Sequence, residues 1–193
     1  MTPERFTPVI TGNHPQPAYG AVDVHYPPDG GARAALVVAE DARFAAITGE
    51  FVARVDQVST YRPGHFSERE LPAVQVVLDG RVPRLLVIDG YVDLDPQGRP
   101  GLGAHTHAAL GVPVIGIAKT AFATATHAVA VRRGSATRPL YVTAAGLDLD
   151  LAADLVSAMA GPFRIPDALR RVDALARGHA VRSPGRAATS RPR

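Results

Sequence analysis

A chain of 193 residues, 46% apolar and 20% charged, can bury one proper core and hardly two, which sets the expectation of one domain over residues 1–177. The absence of cysteine excludes disulfides, thiolate metal sites and cysteine nucleophiles. No apolar run approaches the roughly 18 residues of a membrane span, and the N-terminus lacks the basic-then-apolar pattern of a secretory signal, so a cytoplasmic protein is expected. The formal charge of +3 sits at one end: taking away the four arginines of residues 178–193 leaves −1 for the rest.

In chain order, residues 1 to about 18 are rich in Pro, Thr and Gly and read as an extended lead-in. Ala21 to Tyr26 is a short β-prone run, closed by the turn signal Pro27-Pro28-Asp29-Gly30-Gly31. Ala32 to Glu40 reads as a buried strand and Arg43 to Val55 as a third, and the short turns between them imply an antiparallel meander. Beyond Thr60-Tyr61-Arg62-Pro63-Gly64 the period changes. Leu71, Val74, Val77 and Leu78 fall at helical spacing, Ser67 is the expected N-cap with Glu70 three residues on, and Asp79-Gly80 ends the helix.

Leu85 to Gly90 is an apolar strand with Asp89 at its carboxyl end, Leu102 to Leu110 is helical, and Val112 to Lys119 is another apolar strand. Strand, helix, strand at this spacing implies a parallel βαβ unit. His127 to Arg132 and Leu140 to Thr143 are further strand candidates, while Leu149 to Met159 and Pro166 to Ala176 are amphipathic helices. The final stretch, 178–193, carries Arg182, Arg186, Arg191 and Arg193 without an acid. It reads as a disordered tail able to touch phosphates, or as a merely solvated terminus. A meander followed by helix and parallel strands is the order of the α/β ribonuclease H-like fold, a mixed sheet with flanking helices.

Three acids stand out within that order. Asp23 lies mid-strand among apolar neighbours, where a carboxylate is costly unless it is paired or binds metal. Asp89 sits where an open α/β sheet presents ligands, and Glu70 lies in the first turn of the helix between them. Each alone also fits a plain role, Asp89-Gly90 as a turn and Glu70 as half of a capping box. Together they suit magnesium, which takes hard oxygen ligands and keeps several waters. Lys119 is the one lysine among 21 basic residues, which suggests a site wanting a compact ammonium on a flexible stem.

Five segments carry a family resemblance: Val22-Asp23-Val24-His25-Tyr26; Tyr61-Arg62-Pro63-Gly64 running to Arg69-Glu70; Val87-Ile88-Asp89-Gly90; Gly101-Leu102-Gly103-Ala104-His105; and Val114-Ile115-Gly116-Ile117-Ala118-Lys119. In this order, over roughly residues 20 to 120, they resemble endonuclease V, which cuts near deoxyinosine in DNA and, in some members, near inosine in RNA. The resemblance implies that Asp23, Glu70 and Asp89 hold the metal, Mg2+ with Mn2+ as a substitute, and that Lys119 is the basic catalytic helper. It also makes Tyr61, Arg62, Pro63 and Gly64 the wedge that separates strands beside the unusual base. An aromatic ring can stack on an exposed base, and Pro and Gly stiffen the tip. Backbone groups near Gly90 and Gly111 are expected to read the base edge.

The chain departs from the family where members commonly have His after the Asp-Gly and again before a Pro; here those positions hold Tyr91 and Asp95. A later Gly-His pair is replaced near Gly146, with Asp148 close by, and the stretch between Lys119 and Pro139 is short. These changes make Asp95 and Asp148, with Asp93, candidates for an extra metal ligand, the alternative being that Asp93 and Asp95 belong to a solvated turn. The implied activity is magnesium-dependent endonucleolytic cutting near inosine, in the service of DNA repair, by a monomer that binds DNA or RNA and no membrane. Two other readings stay open: a nucleic-acid-binding homologue with weak or no cleavage, and a related nuclease acting on RNA or branched DNA.

Overall fold

The computed structural model describes residues 18–56 and 66–179. The expected wedge, Tyr61 to Gly64, and all but the first two residues of the Arg-rich tail lie outside them. Seven strands form one sheet in the order β3-β2-β1-β4-β5-β7-β6. The first three, β1 (Tyr19–His25), β2 (Ala32–Ala39) and β3 (Ile47–Val55), make the expected antiparallel meander. A helix, α1 (Phe66–Leu78), then leads to β4 (Leu85–Asp89), which pairs parallel with β1. The next unit, α2 (Leu102–Leu110) and β5 (Val114–Ala118), adds a second parallel pair. The far edge is built by β6 (Val129–Val131) and β7 (Leu140–Ala145), with β7 antiparallel to β5. The chain closes with α3 (Leu149–Ala158) and α4 (Asp167–Ala176).

Helices cover both faces, and this explains why the central strands read as continuous apolar runs rather than alternating ones. On one face Ala21, Val37, Val87 and Ile115 pack with Val156, Leu169 and Val172 of α3 and α4. Their chain neighbours Val22, Leu36, Leu86 and Ile88 face the other way and pack with Val74, Val77 and Leu78 of α1. A bidentate pair ties α4 to the sheet, Arg171 donating to Glu50 of β3 at 2.5 and 2.6 Å.

The third strand begins later than its composition suggests. Residues 41–44 form a turn in which Phe44 takes φ 53° and is 3% exposed, its N–H donating to the Asp41 carbonyl at 3.1 Å. The ring therefore enters the core from a turn, not from a strand. In α1, Pro72 lies inside the helix and removes one backbone donor.

Candidate active site

Register brings two of the acids side by side. Val22 of β1 pairs with Ile88 of β4 in a parallel ladder, so Asp23 and Asp89 occupy the next rungs of adjacent strands. Strand alternation sends both toward the face of α3 and α4, following Ala21 and Val87. Glu70 comes from the opposite side, on the α1 stripe that continues through Val74 and Val77, and it is 6% exposed. The three carboxylates thus arrive from both layers and approach each other at the carboxyl ends of β1 and β4. Parallel strands leave such a crevice where no crossover covers them.

The electrostatics express the crowding. Burial, then the charge of Asp89, lifts Asp23 from the ordinary 3.8 to about 6, while the Val24 N–H at 2.9 Å and Lys119 pull it back. Burial, then Asp23 and Asp89, lifts Glu70 from 4.5 to about 8, against the opposing pull of Arg69. The single lysine, just past β5, donates to Oδ2 of Asp89. Its own backbone carbonyl accepts from Arg164, whose guanidinium also donates to the Pro139 carbonyl at 2.8 Å.

Among the described residues, no three Asp, Glu or His side chains stand close enough as placed to hold an ion, and Asp89 is turned onto Lys119. The donor set nonetheless fits a hard divalent cation. It is all carboxylate oxygen, and two of its members are pushed toward protonation by burial and then by the neighbouring carboxylates, a strain that a bound cation would relieve.

Two motif segments meet directly. The Arg69 guanidinium lies 3.7 Å over the centroid of the Tyr26 ring, fastening the start of α1 to the end of β1 one residue from Glu70. Close approach explains a third segment. A Cβ on Gly116 would stand 2.6 Å from the Gly90 carbonyl oxygen and 2.8 Å from the Val92 nitrogen, so only glycine lets the chain after Asp89 cross over β5. The crossing is held by Val92, whose N–H donates to the Thr143 hydroxyl at 2.8 Å, and by Gly90, whose N–H donates to Ile117 at 3.1 Å.

Other expected residues are placed elsewhere. Asp95 is no neighbour of the acids; the backbone N–H of Arg99, then the Arg99 guanidinium and the Gln97 N–H, donate to its carboxylate and hold its pKa low. Asp93 bridges to Pro100 in the same turn. Asp148 caps α3, accepting from Leu151 at 2.9 Å. Gly90 adjoins the acids, but Gly111 is the left-handed cap of α2 and precedes the amino end of β5. Since β4 and β5 run parallel, Gly111 and Gly90 lie at opposite ends of the sheet and do not line one base pocket.

The structure adds two residues that the sequence did not single out. Asp173 of α4 raises Asp23 further, and Arg177, bonded to Asp173 at 3.0 Å, feels Asp23 and Asp89. In sequence they are an ordinary helical i, i+4 pair. Only the packing of α4 across β1 makes them part of this corner.

The family profile of endonuclease V matches residues 9–135. An endonuclease V of Streptomyces avermitilis is 31% identical over 188 residues, covering 84% of this chain and 82% of the relative. One from Thermococcus kodakarensis is 34% identical over 167 residues, covering 86% and 81%. The crystal structure of the Streptomyces avermitilis endonuclease V superposes with a TM-score of 0.69 over 85% of this chain and 82% of that one, at 31% identity. An endonuclease V variant of Ciona intestinalis, in complex with a 23mer DNA containing an inosine followed by a ribo-adenosine, has the same fold, with a TM-score of 0.72 at 19% identity over 83% of each chain.

Proposed function

The chain belongs to the endonuclease V family, ribonuclease H-like nucleases that hydrolyse phosphodiester bonds, and from that premise we propose that it is a magnesium-dependent endonuclease cutting DNA beside deoxyinosine, in the service of DNA repair. The observation that carries this reading is the convergence of Asp23, Glu70 and Asp89 with Lys119 at the carboxyl ends of β1, β4 and β5. In this reading the three carboxylates hold the metal. When bound, a divalent cation there lowers the pKa of an attacking water and stabilises charge on the phosphoryl oxygens.

The protein's own groups do the rest. Lys119 exchanges its contact with Asp89 for the phosphate and offsets charge on the pentacoordinate phosphorus. Arg164 and Tyr91 hold the loop behind Lys119 through the carbonyls of Lys119 and Thr120, so the ammonium is presented from a fixed backbone. Water oxygen bonds to phosphorus and gives up a proton to solvent as the bond to the 3′ oxygen breaks; the leaving oxygen takes a proton from solvent in return, giving a 3′ hydroxyl and a 5′ phosphate. Tyr61, Arg62, Pro63 and Gly64 precede Arg69-Glu70 in the chain and are assigned as the wedge that opens the strands.

The test is cleavage of matched oligonucleotides with and without a single deoxyinosine, in Mg2+ or in a chelator, by the wild-type protein and by Asp89→Asn. Cutting beside inosine, in Mg2+ and by the wild type alone, is expected. Full magnesium-dependent activity in Asp89→Asn overturns the assignment. A second reading, a binding homologue that cuts weakly, draws on the turning of Asp89 onto Lys119. It predicts inosine-selective binding with little or no turnover in the same assay.

A further inference from the structure

The loop that follows Lys119 displays an aromatic ring for which the acidic group has no use. Phe122 is 44% exposed, yet its position is fixed. Its N–H donates to the Tyr91 hydroxyl at 3.0 Å, and that hydroxyl donates to the Thr120 carbonyl at 2.8 Å. The two rings stand 6.1 Å apart between centroids, tilted by 47°. The Arg99 guanidinium lies 5.9 Å from the Phe122 centroid, anchored by Asp95 and by Thr124, whose hydroxyl donates to the Leu94 carbonyl. Polar bonds from two loops thus hold an apolar ring at the surface.

The location gives that arrangement a use. Tyr91 is two residues beyond Asp89 and Phe122 three beyond Lys119, and the side chains of Asp89 and Lys119 are in contact. The ring therefore belongs to the rim of the acidic group. We propose that Phe122, braced by Tyr91 and flanked by Arg99, is a stacking platform for an unpaired nucleobase of the substrate strand beside the scissile phosphate. This deepens the nuclease reading and rests on it. A base supplies the flat π face that an immobilised ring accepts, and a guanidinium beside the ring suits the attached phosphate. Stacking of this kind tolerates any base, so the platform positions the strand without reading its sequence.

The test is a binding cycle in Ca2+ in place of Mg2+, using inosine-containing strands with one abasic residue moved along the nucleotides around the cut. Phe122→Ala is expected to weaken binding about tenfold, and Phe122→Trp to stay within about twofold of wild type. Phe122→Leu, which keeps apolar bulk, is expected to behave like Phe122→Ala. At one position the abasic residue should weaken the wild type by a similar factor and leave Phe122→Ala no weaker still. Wild-type affinity in Phe122→Ala, or equal sensitivity of both proteins to the abasic residue at every position, overturns the platform. Absence of cutting by the wild type overturns the nuclease reading, while the binding cycle still decides the platform; absence of binding overturns both.

Discussion

The Arg69 guanidinium rests 3.7 Å above the ring of Tyr26, and this contact joins the strand that carries Asp23 to the helix turn that carries Glu70. It links two sequence segments more than 40 residues apart, and through them two of the three acids. The Tyr26 hydroxyl is buried without a partner among the described residues, so the ring, not the hydroxyl, does the joining.

Tyr26→Phe is accordingly expected to match the wild type in stability and kcat, since it keeps the ring and removes an unpaired buried oxygen. Tyr26→Leu loses the face on which Arg69 sits, at a cost of about 1–2 kcal/mol, and should lower kcat by loosening Glu70. Chemical denaturation and single-turnover cleavage of the two variants check this. A Leu variant that cuts as fast as wild type would remove the contact from the account.

Lys119→Ala should reduce kcat by about a hundredfold to a thousandfold while leaving substrate affinity nearly intact, the usual effect of removing one charge-stabilising donor. Lys119→Arg should recover only part of the loss, because a planar guanidinium does not replace a compact ammonium. The kcat and KM of both variants on an inosine-containing strand give the answer. An Ala variant with wild-type kcat would sink the assignment of Lys119.

The lifted acids predict a pH dependence of stability. Glu70 titrates at about 8 in the folded protein against an ordinary 4.5, and Asp23 at about 6 against 3.8. A folded value above the unfolded one means that protonation favours folding. That stabilisation is complete below the unfolded values and is lost as pH rises through the folded ones. Metal-free protein should therefore lose thermal stability from pH 3.8 to about 8, with Mg2+ raising Tm most at the alkaline end. Glu70→Gln should show a flatter metal-free profile. Thermal melts in chelator and in Mg2+ across that interval measure it, and identical slopes for Glu70→Gln and wild type would refute the cause given.

Gly116→Ala would set a methyl 2.6 Å from the Gly90 carbonyl oxygen, inside a crossing built of backbone and a buried Thr143 hydroxyl. Backbone cannot yield as a flexible side chain does, so a loss of about 1–3 kcal/mol is expected. Cleavage should fall more than stability does, because Asp89 directly precedes Gly90. Urea unfolding together with kcat at a temperature where both proteins are folded tests the pair of effects. Undiminished kcat would show that the crossing does not place Asp89.

The sequence by itself determined the elements, since apolar period, turn residues and caps act between near neighbours. The central strands could be read because burial on both faces makes them continuously apolar, and α2 was read over its observed span, though the role of Gly111 as its left-handed cap was not. It also supplied Asp23, Glu70, Asp89 and Lys119, on a family resemblance that the profile and relatives establish. What shares a site was decided only by tertiary structure. Phe44 enters the core from a turn, Asp95 and Asp148 are spent on local backbone, and Gly111 goes to the far end of a parallel strand pair. Conversely Asp173 and Arg177, distant in the chain, come to the acids because α4 packs across β1. Proximity between such residues is set by strand order and helix docking, long-range choices to which local spacing is blind.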